Sequence, residues 1–91
     1  MTVARKFLIS GQVQGVGFRY FAQRSSARHQ VRGYVKNLDD GRVEVWAEGN
    51  PKSVDAFRLD LAAGPTHSRV GTIEELVLEP NGSYSAFRIE R

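Results

Sequence analysis

Cysteine is absent from the chain of 91 residues, which removes disulfides, thiolate metal sites and a cysteine nucleophile together. Long apolar runs are absent as well. Near the N-terminus only Phe7-Leu8-Ile9 is continuously apolar, too short for a signal-peptide core or a membrane span. The cytoplasm is therefore the expected location, and no membrane partner is expected. Acid is missing from the first part of the chain. No Asp or Glu precedes Asp39, whereas Arg5, Lys6, Arg19, Arg24, Arg28, Arg32 and Lys36 all do, giving that part seven positive charges. The remainder holds six basic and ten acidic residues. A net charge of +3 thus conceals a split that points to an anionic partner for the first part, either a small phosphate compound or a nucleic acid.

A chain of this length has room for one core, so residues 1–91 are expected to form a single domain of short, regular elements. Val3 to Val13 alternates, with Phe7, Ile9, Gly11 and Val13 on one side and Lys6, Ser10 and Gln12 on the other, which predicts a strand. A glycine-rich turn, Gln14 to Phe18, leads into a helix over Arg19–His29 with an apolar stripe through Phe18, Phe21, Ala22 and Ser25. Gly33–Leu38 and Arg42–Glu48 flank Asp39-Asp40-Gly41 and predict a hairpin. A three-residue loop matches the apolar faces, pairing Val35 with Val45, Asn37 with Val43, Lys36 with Glu44 and Tyr34 with Trp46. Asn50 is suited to cap a second helix, Pro51 to begin it and Gly64-Pro65 to end it, with Val54, Phe57 and Leu61 as its buried stripe. Val70–Leu78 and Ser85–Glu90 complete the elements as strands, the last one short and following the Asn81-Gly82 turn. The order β-α-β-β-α-β plus a small extra strand predicts an α+β fold of the ferredoxin-like kind, with two helices on one face of a mostly antiparallel sheet. In that topology the first two strands run in the same direction. Their C-terminal ends then share one edge, which brings Asn37 to the glycine-rich turn.

The stretch Gln14-Gly15-Val16-Gly17-Phe18-Arg19 sits between a strand and a helix start. Glycine at 15 and 17 permits a tight turn and close approach of an anion to main-chain N–H groups, reinforced by the helix dipole. Spacing alone fits a plain turn equally well, since neither GK[ST] nor G-x-G-x-x-G is present. Arg19 favours the anion. A cation in the first helical turn opposes the dipole by roughly 0.3–1 kcal/mol, whereas a bound phosphate reverses that sign, and a guanidinium fork matches two phosphate oxygens. Asn37 is a poor strand former on the Val35 face. Its amide is either a cap for the following turn or a group that holds a water.

Other constellations are weaker. His29 and His67 are far apart and lack neighbouring ligands. Asp39 and Asp40 fit a solvated hairpin tip better than a magnesium site. Ser25-Ser26 has no histidine partner in sequence and fits packing or surface. Tyr34 and Trp46 fit strand packing, and Arg24 and Arg28 a solvated helix face. An RNA-recognition domain shares the expected topology, and Arg32-Gly33-Tyr34-Val35 echoes its aromatic strand motif, but Lys36-Asn37 breaks the pattern.

Ser10 to Arg19 closely matches the acylphosphatase signature G-x-V-Q-G-V-G-F-R, and Gly33 to Glu44 is similar to the second signature G-x-V-x-N-x-x-D-G-x-V-E. Gly64-Pro65 before Arg69-Val70 also resembles that family, and the likeness covers essentially the whole chain. The resemblance implies a small metal-free hydrolase of carboxyl-phosphate anhydrides. By it, the backbone of Gln14, Gly15, Val16, Gly17, Phe18 and Arg19 and the Arg19 guanidinium bind phosphate, while Asn37 positions the attacking water. No cofactor or metal is implied, the partner is a small-molecule acyl phosphate rather than a nucleic acid, and a monomer is expected. The same fold also occurs as the first domain of a larger hydrogenase-maturation protein handling carbamoyl phosphate; a chain of this length is expected to be the stand-alone enzyme. One departure stands out: the family usually has a glycine near the end of the first helix, where this chain has His29-Gln30-Val31.

Overall fold

The alternation at the start of the chain becomes β1 (Val3–Gln12), the first of five strands in the computed structural model, which describes residues 1–91. The elements that follow are α1 (Phe18–His29), β2 (Arg32–Asn37), β3 (Val43–Gly49), α2 (Pro51–Ala63), β4 (Arg69–Leu78) and β5 (Phe87–Glu90). The sheet order is β4-β1-β3-β2-β5. β3 runs antiparallel to both β1 and β2, so those two strands share a direction with one strand between them. This is the expected ferredoxin-like α+β arrangement. β5 pairs with β2 in parallel, a connection that the sequence left open.

The hairpin has the predicted register: Tyr34 faces Trp46, Val35 faces Val45, Lys36 faces Glu44 and Asn37 faces Val43. Leu38 N–H donates to the Arg42 carbonyl at 2.8 Å, closing the three-residue loop. Boundaries move by a residue or two. α1 begins at Phe18 rather than Arg19, because Gly17 already takes the N-cap position. β5 begins at Phe87 rather than Ser85, where its pairing with Gly33 starts.

The helices bury the predicted faces against one side of the sheet. Phe7, Ile9, Val35, Val43 and Val45 from the strands meet Phe18, Ala22, Val54, Phe57 and Leu61 from the helices. Phe57 lies edge-on to Phe87 with ring centroids 5.5 Å apart; a fully buried side chain of this kind stabilises by about 1.5–3 kcal/mol relative to exposure. In α1 the inward residues are Phe18, Ala22, Ser25 and Ser26, while Phe21 is only half-buried. The Ser25 hydroxyl donates to Asp60 of α2 at 2.7 Å, and His29 reaches the same carboxylate at 3.0 Å. The Ser25 hydrogen bond, working against burial and helped by His29, holds the Asp60 carboxyl below its ordinary range.

α2 starts and stops as its sequence dictates, with Asn50 Oδ1 accepting from Lys52 N–H at 2.9 Å and Gly64 N–H closing onto the Asp60 carbonyl at 3.0 Å. α1 ends differently. Gln30 takes the left-handed conformation at φ 57° and is the only non-glycine residue with positive φ. Val31 N–H then bonds the Ser26 carbonyl at 2.9 Å, completing the cap. Gln30 thus fills a position where glycine is favoured, at a cost of about 1 kcal/mol.

The opposite face of the sheet is partly covered by the chain between β4 and β5. Tyr84 packs over Tyr34 and Trp46, with ring centroids 5.8 and 6.3 Å away. Beneath that crossing lies Glu48, fully buried. Burial alone would raise its carboxyl, but donors from Asn81 N–H, Trp46 Nε1 and Gly82 N–H outweigh burial and hold it below the ordinary range.

Candidate active site

Two core residues pin the glycine-rich loop at its ends. Val13, just after β1, and Phe18, the first residue of α1, are both fully buried, so the intervening loop has little freedom to drift. Within it Gly15 and Gly17 have φ of 74° and 77°. A Cβ at either would meet nothing within 4 Å, so glycine is needed there for its left-handed backbone, not for lack of space. The turn delivers the chain to the start of α1 with no side chain capping it. The first N–H groups of a helix have no partner inside the helix, and the first bond back to the loop is Phe21 N–H to the Gly17 carbonyl at 3.0 Å. No N–H of residues 14 to 20 takes part in the backbone bonds made outside helices and strands. The loop and helix start therefore present a set of donors without acceptors, which is the composition of an anion cradle.

Arg19 borders that cradle. Its side chain enters none of the chain's ion pairs and makes one long bond, Nη1 to the Glu90 carbonyl at 3.4 Å. The end of β5 thus tethers one nitrogen of the guanidinium and leaves the rest of its fork unengaged. Asn37, the last residue of β2, completes the wall. Its Oδ1 is buried and has no donor within hydrogen-bonding reach. A buried carbonyl oxygen without a partner is uncommon and costs about 1–3 kcal/mol, so this position is not explained by packing. Nor does the Asn37 side chain cap the turn that follows; the Asp40 carboxylate does so, accepting from Arg42 N–H at 3.0 Å.

Together, Val13, Gly15, Gly17, Phe18, Arg19, Tyr20 and Asn37 line a pocket of about 120 Å³. A water occupies about 30 Å³ in the liquid, so the space suits a phosphoryl group and a water but not a nucleotide. The shared direction of β1 and β2 brings the loop and Asn37 together as topology predicted. Gln14 fixes their spacing. Its Nε2 donates to the carbonyls of Leu38 and Arg42, at 2.8 and 2.9 Å, across the mouth of the hairpin. A larger groove of about 500 Å³ runs between the end of α1 and the start of β5. It contains none of the predicted site residues, and Arg32 is its one charged side chain.

Comparison with known proteins decides which lineage this geometry belongs to. The acylphosphatase family model matches residues 5–89. The chain belongs to the acylphosphatase family. It is 46% identical over 86 residues to the acylphosphatase of Solibacter usitatus, covering 94% of this chain and 88% of that one. The Bacillus velezensis acylphosphatase is 51% identical over 70 residues, which cover 75% and 78% of the two chains. Among solved structures, the crystal structure of the Bacillus subtilis acylphosphatase superposes with a TM-score of 0.94 at 35% identity, covering 98% of this chain and 99% of that one. Family membership makes this chain an enzyme, a hydrolase of the acylphosphatase type.

Three features of this acylphosphatase site escaped sequence reasoning. The Gln14 side chain, expected to contribute only backbone, is a clamp on the hairpin. The carbonyl of Glu90 steadies Arg19, and no local pattern could have foretold it, because it depends on the parallel docking of β5. Tyr20 lines the pocket although most of its surface is exposed, and nothing in its residue type singled it out.

Proposed function

We propose that this chain hydrolyses acyl phosphates by direct attack of water on phosphorus, within one unit spanning residues 1–91. The phosphoryl group sits on the N–H groups of residues 14–19 with the Arg19 guanidinium gripping two of its oxygens. Asn37 Oδ1 accepts a hydrogen bond from the attacking water and aims its lone pair at phosphorus. The observation that carries this reading is the Asn37 oxygen, buried beside the cradle and without a donor of its own. Phosphate binding alone needs donors; an unpaired acceptor beside them is what a water requires. That feature also favours catalysis over a non-catalytic sensor of phosphate compounds.

The chemistry suits so sparse a site. Water oxygen bonds to phosphorus, the bridging P–O bond breaks, and its electron pair leaves on the carboxylate. Carboxylate is a stable leaving group, so no acid need protonate it. In a loose transition state the charge spreads over the equatorial oxygens, where Arg19 and the loop donors stabilise it. The water is barely deprotonated at that point, and after attack its proton passes to a phosphoryl oxygen of the product phosphate, so orientation counts for more than a strong base. Arg19 and the main-chain N–H groups of the loop meet the developing charge themselves, so the proposed reaction calls on neither a metal nor a cofactor.

The protein acts on a small molecule, in the cytoplasm and as a monomer. No helix is long and apolar enough to cross a membrane. Nucleic acid is disfavoured as the partner because Tyr34 and Trp46, which would have to stack on bases, are buried beneath Tyr84. Phosphate release from acetyl phosphate and benzoyl phosphate in the presence of EDTA tests the proposal. Both should turn over, and an alkyl phosphate ester should not. Activity lost to the chelator and restored by magnesium would overturn the mechanism.

A further inference from the structure

One side chain ties the anion cradle to the wall that holds Asn37. Gln14 Nε2 donates to the Leu38 carbonyl at 2.8 Å and to the Arg42 carbonyl at 2.9 Å. No other hydrogen bond joins residues 14–19 to residues 37–42. The sheet gives little support at this point. β2 loses β5 as a neighbour after Lys36, and the ladders of β3 with β1 and with β2 both stop at Val43. Leu38 and Arg42 lie just past them.

The two carbonyls do not need Gln14 in order to be paired. The Arg42 carbonyl already accepts from Leu38 N–H at 2.8 Å, and the Leu38 carbonyl from Gly41 N–H at 3.2 Å, so each has a backbone donor of its own. The amide is an added link, and its effect is placement. Two bonds from one nitrogen to the two sides of the hairpin mouth fix where that mouth sits and how it is turned. Asn37 adjoins it. Its Oδ1 has no donor from the chain, so no hydrogen bond aims this oxygen. Its place follows from where the backbone of residues 37 and 38 is held.

We propose that Gln14 is a positioning residue: its side chain sets the Asn37 oxygen against the cradle, and with it the line along which the water meets phosphorus. This rests on the acyl phosphate reading of the pocket. The cradle uses only the main-chain N–H of residue 14, so the side chain acts through Asn37 and leaves phosphate binding alone.

Gln14→Met keeps the length of the side chain and removes both donors. In the full chain it should lower kcat by roughly tenfold, short of the ~10²-fold that a misplacement of about 1 Å can cost. The factor should be the same for acetyl phosphate and benzoyl phosphate, because the water and not the acyl group is displaced. Inhibition by inorganic phosphate should stay within about twofold, so that the loss lies in turnover and not in binding. Gln14→Asn, whose amide is one methylene too short to span both carbonyls, should lose as much. In an Asn37→Ala background Gln14→Met should cost less than about twofold, the non-additivity of residues that act through one another; a merely structural role would give additive losses. Hydrogen exchange reads the clamp without turnover. Leu38 and Gly41 N–H should exchange severalfold faster in Gln14→Met than in wild type, with Val35 and Val45 unchanged. Full kcat in Gln14→Met, a loss confined to phosphate affinity, additive losses in the double variant, or unchanged exchange at Leu38 and Gly41 would each overturn the proposal. Faster exchange in Gln14→Met, with a wild type that hydrolyses neither acyl phosphate, would instead uphold the clamp and overturn the catalytic reading.

Discussion

Replacing Asn37 with alanine should cut activity while leaving stability nearly unchanged. The buried Oδ1 has no donor from the chain itself, and in the proposed mechanism a water supplies one. Alanine removes the oxygen and leaves that water without its partner in the pocket wall. The net expectation is a stability within about 1 kcal/mol of wild type, which in a domain of this size is a melting point within about 4–8 °C. Turnover of benzoyl phosphate should fall by roughly 10²-fold or more, the scale of losing one orienting contact to the nucleophile. Inhibition by inorganic phosphate should hardly change, because the carboxamide is proposed to touch water and not phosphate. The assays are steady-state hydrolysis, phosphate inhibition and thermal melts in phosphate-free buffer. A destabilised variant with full activity would refute the reasoning, since Asn37 would then be a structural residue of the hairpin. Asn37→Asp is less informative, because a carboxylate beside the cradle repels phosphate directly.

Arg19→Ala should weaken phosphate inhibition and turnover together, and Arg19→Lys should rescue little of either, because a point charge does not reproduce the fork; unchanged phosphate affinity would place the anion elsewhere. Gln30→Gly should raise stability by about 0.5–1 kcal/mol through relief of the left-handed backbone, with kcat unchanged, and a chemical denaturation curve reads it. Glu48 and Asp60 both have carboxyls held below their ordinary range, so each contributes stability that is fully present above the unfolded-state value of about 4. That stability is lost as pH falls through the lower folded values. Glu48→Gln should therefore flatten the acid side of the stability–pH profile, while lowering stability near neutrality by about 1–3 kcal/mol as buried donors lose their charged acceptor.

Much of the fold was legible because local rules and burial agree. The hairpin register followed from matching Val35 and Val43 faces, and α2 followed from Asn50, Pro51 and Gly64. Asn37 could be placed beside the glycine loop from topology alone, without any contact being known. What stayed hidden was set at a distance. Glu48 looks like a solvent-facing strand residue until the chain between β4 and β5 crosses over it, and that crossing has no periodic signature. Tyr34 and Trp46 were expected to pack as a pair, whereas Tyr84 from that same crossing covers both. Ser25 stood on the expected stripe of α1, but packing and surface stayed open for Ser25 and Ser26 alike, because polarity argues for exposure unless a partner such as Asp60 is known. Gln30 was visible only as an absence of glycine. The backbone kept the left-handed cap because Val31 and the Ser26 carbonyl still complete it, and Gln30 holds that conformation at positive φ.

Gln14 joins two segments that lie far apart along the chain, the loop after β1 and the mouth of the β2–β3 hairpin. An unfolded chain has no such juxtaposition, so the proposed anion site comes into being only with the native topology. Phosphate then acts as a ligand of the native state alone. By mass action it should add about 2.7 kcal/mol of stability at a hundred times its dissociation constant. The substrate's own product becomes a chaperone-like stabiliser for its enzyme. A phosphate buffer would mask the very losses that substitutions in the cradle are designed to reveal.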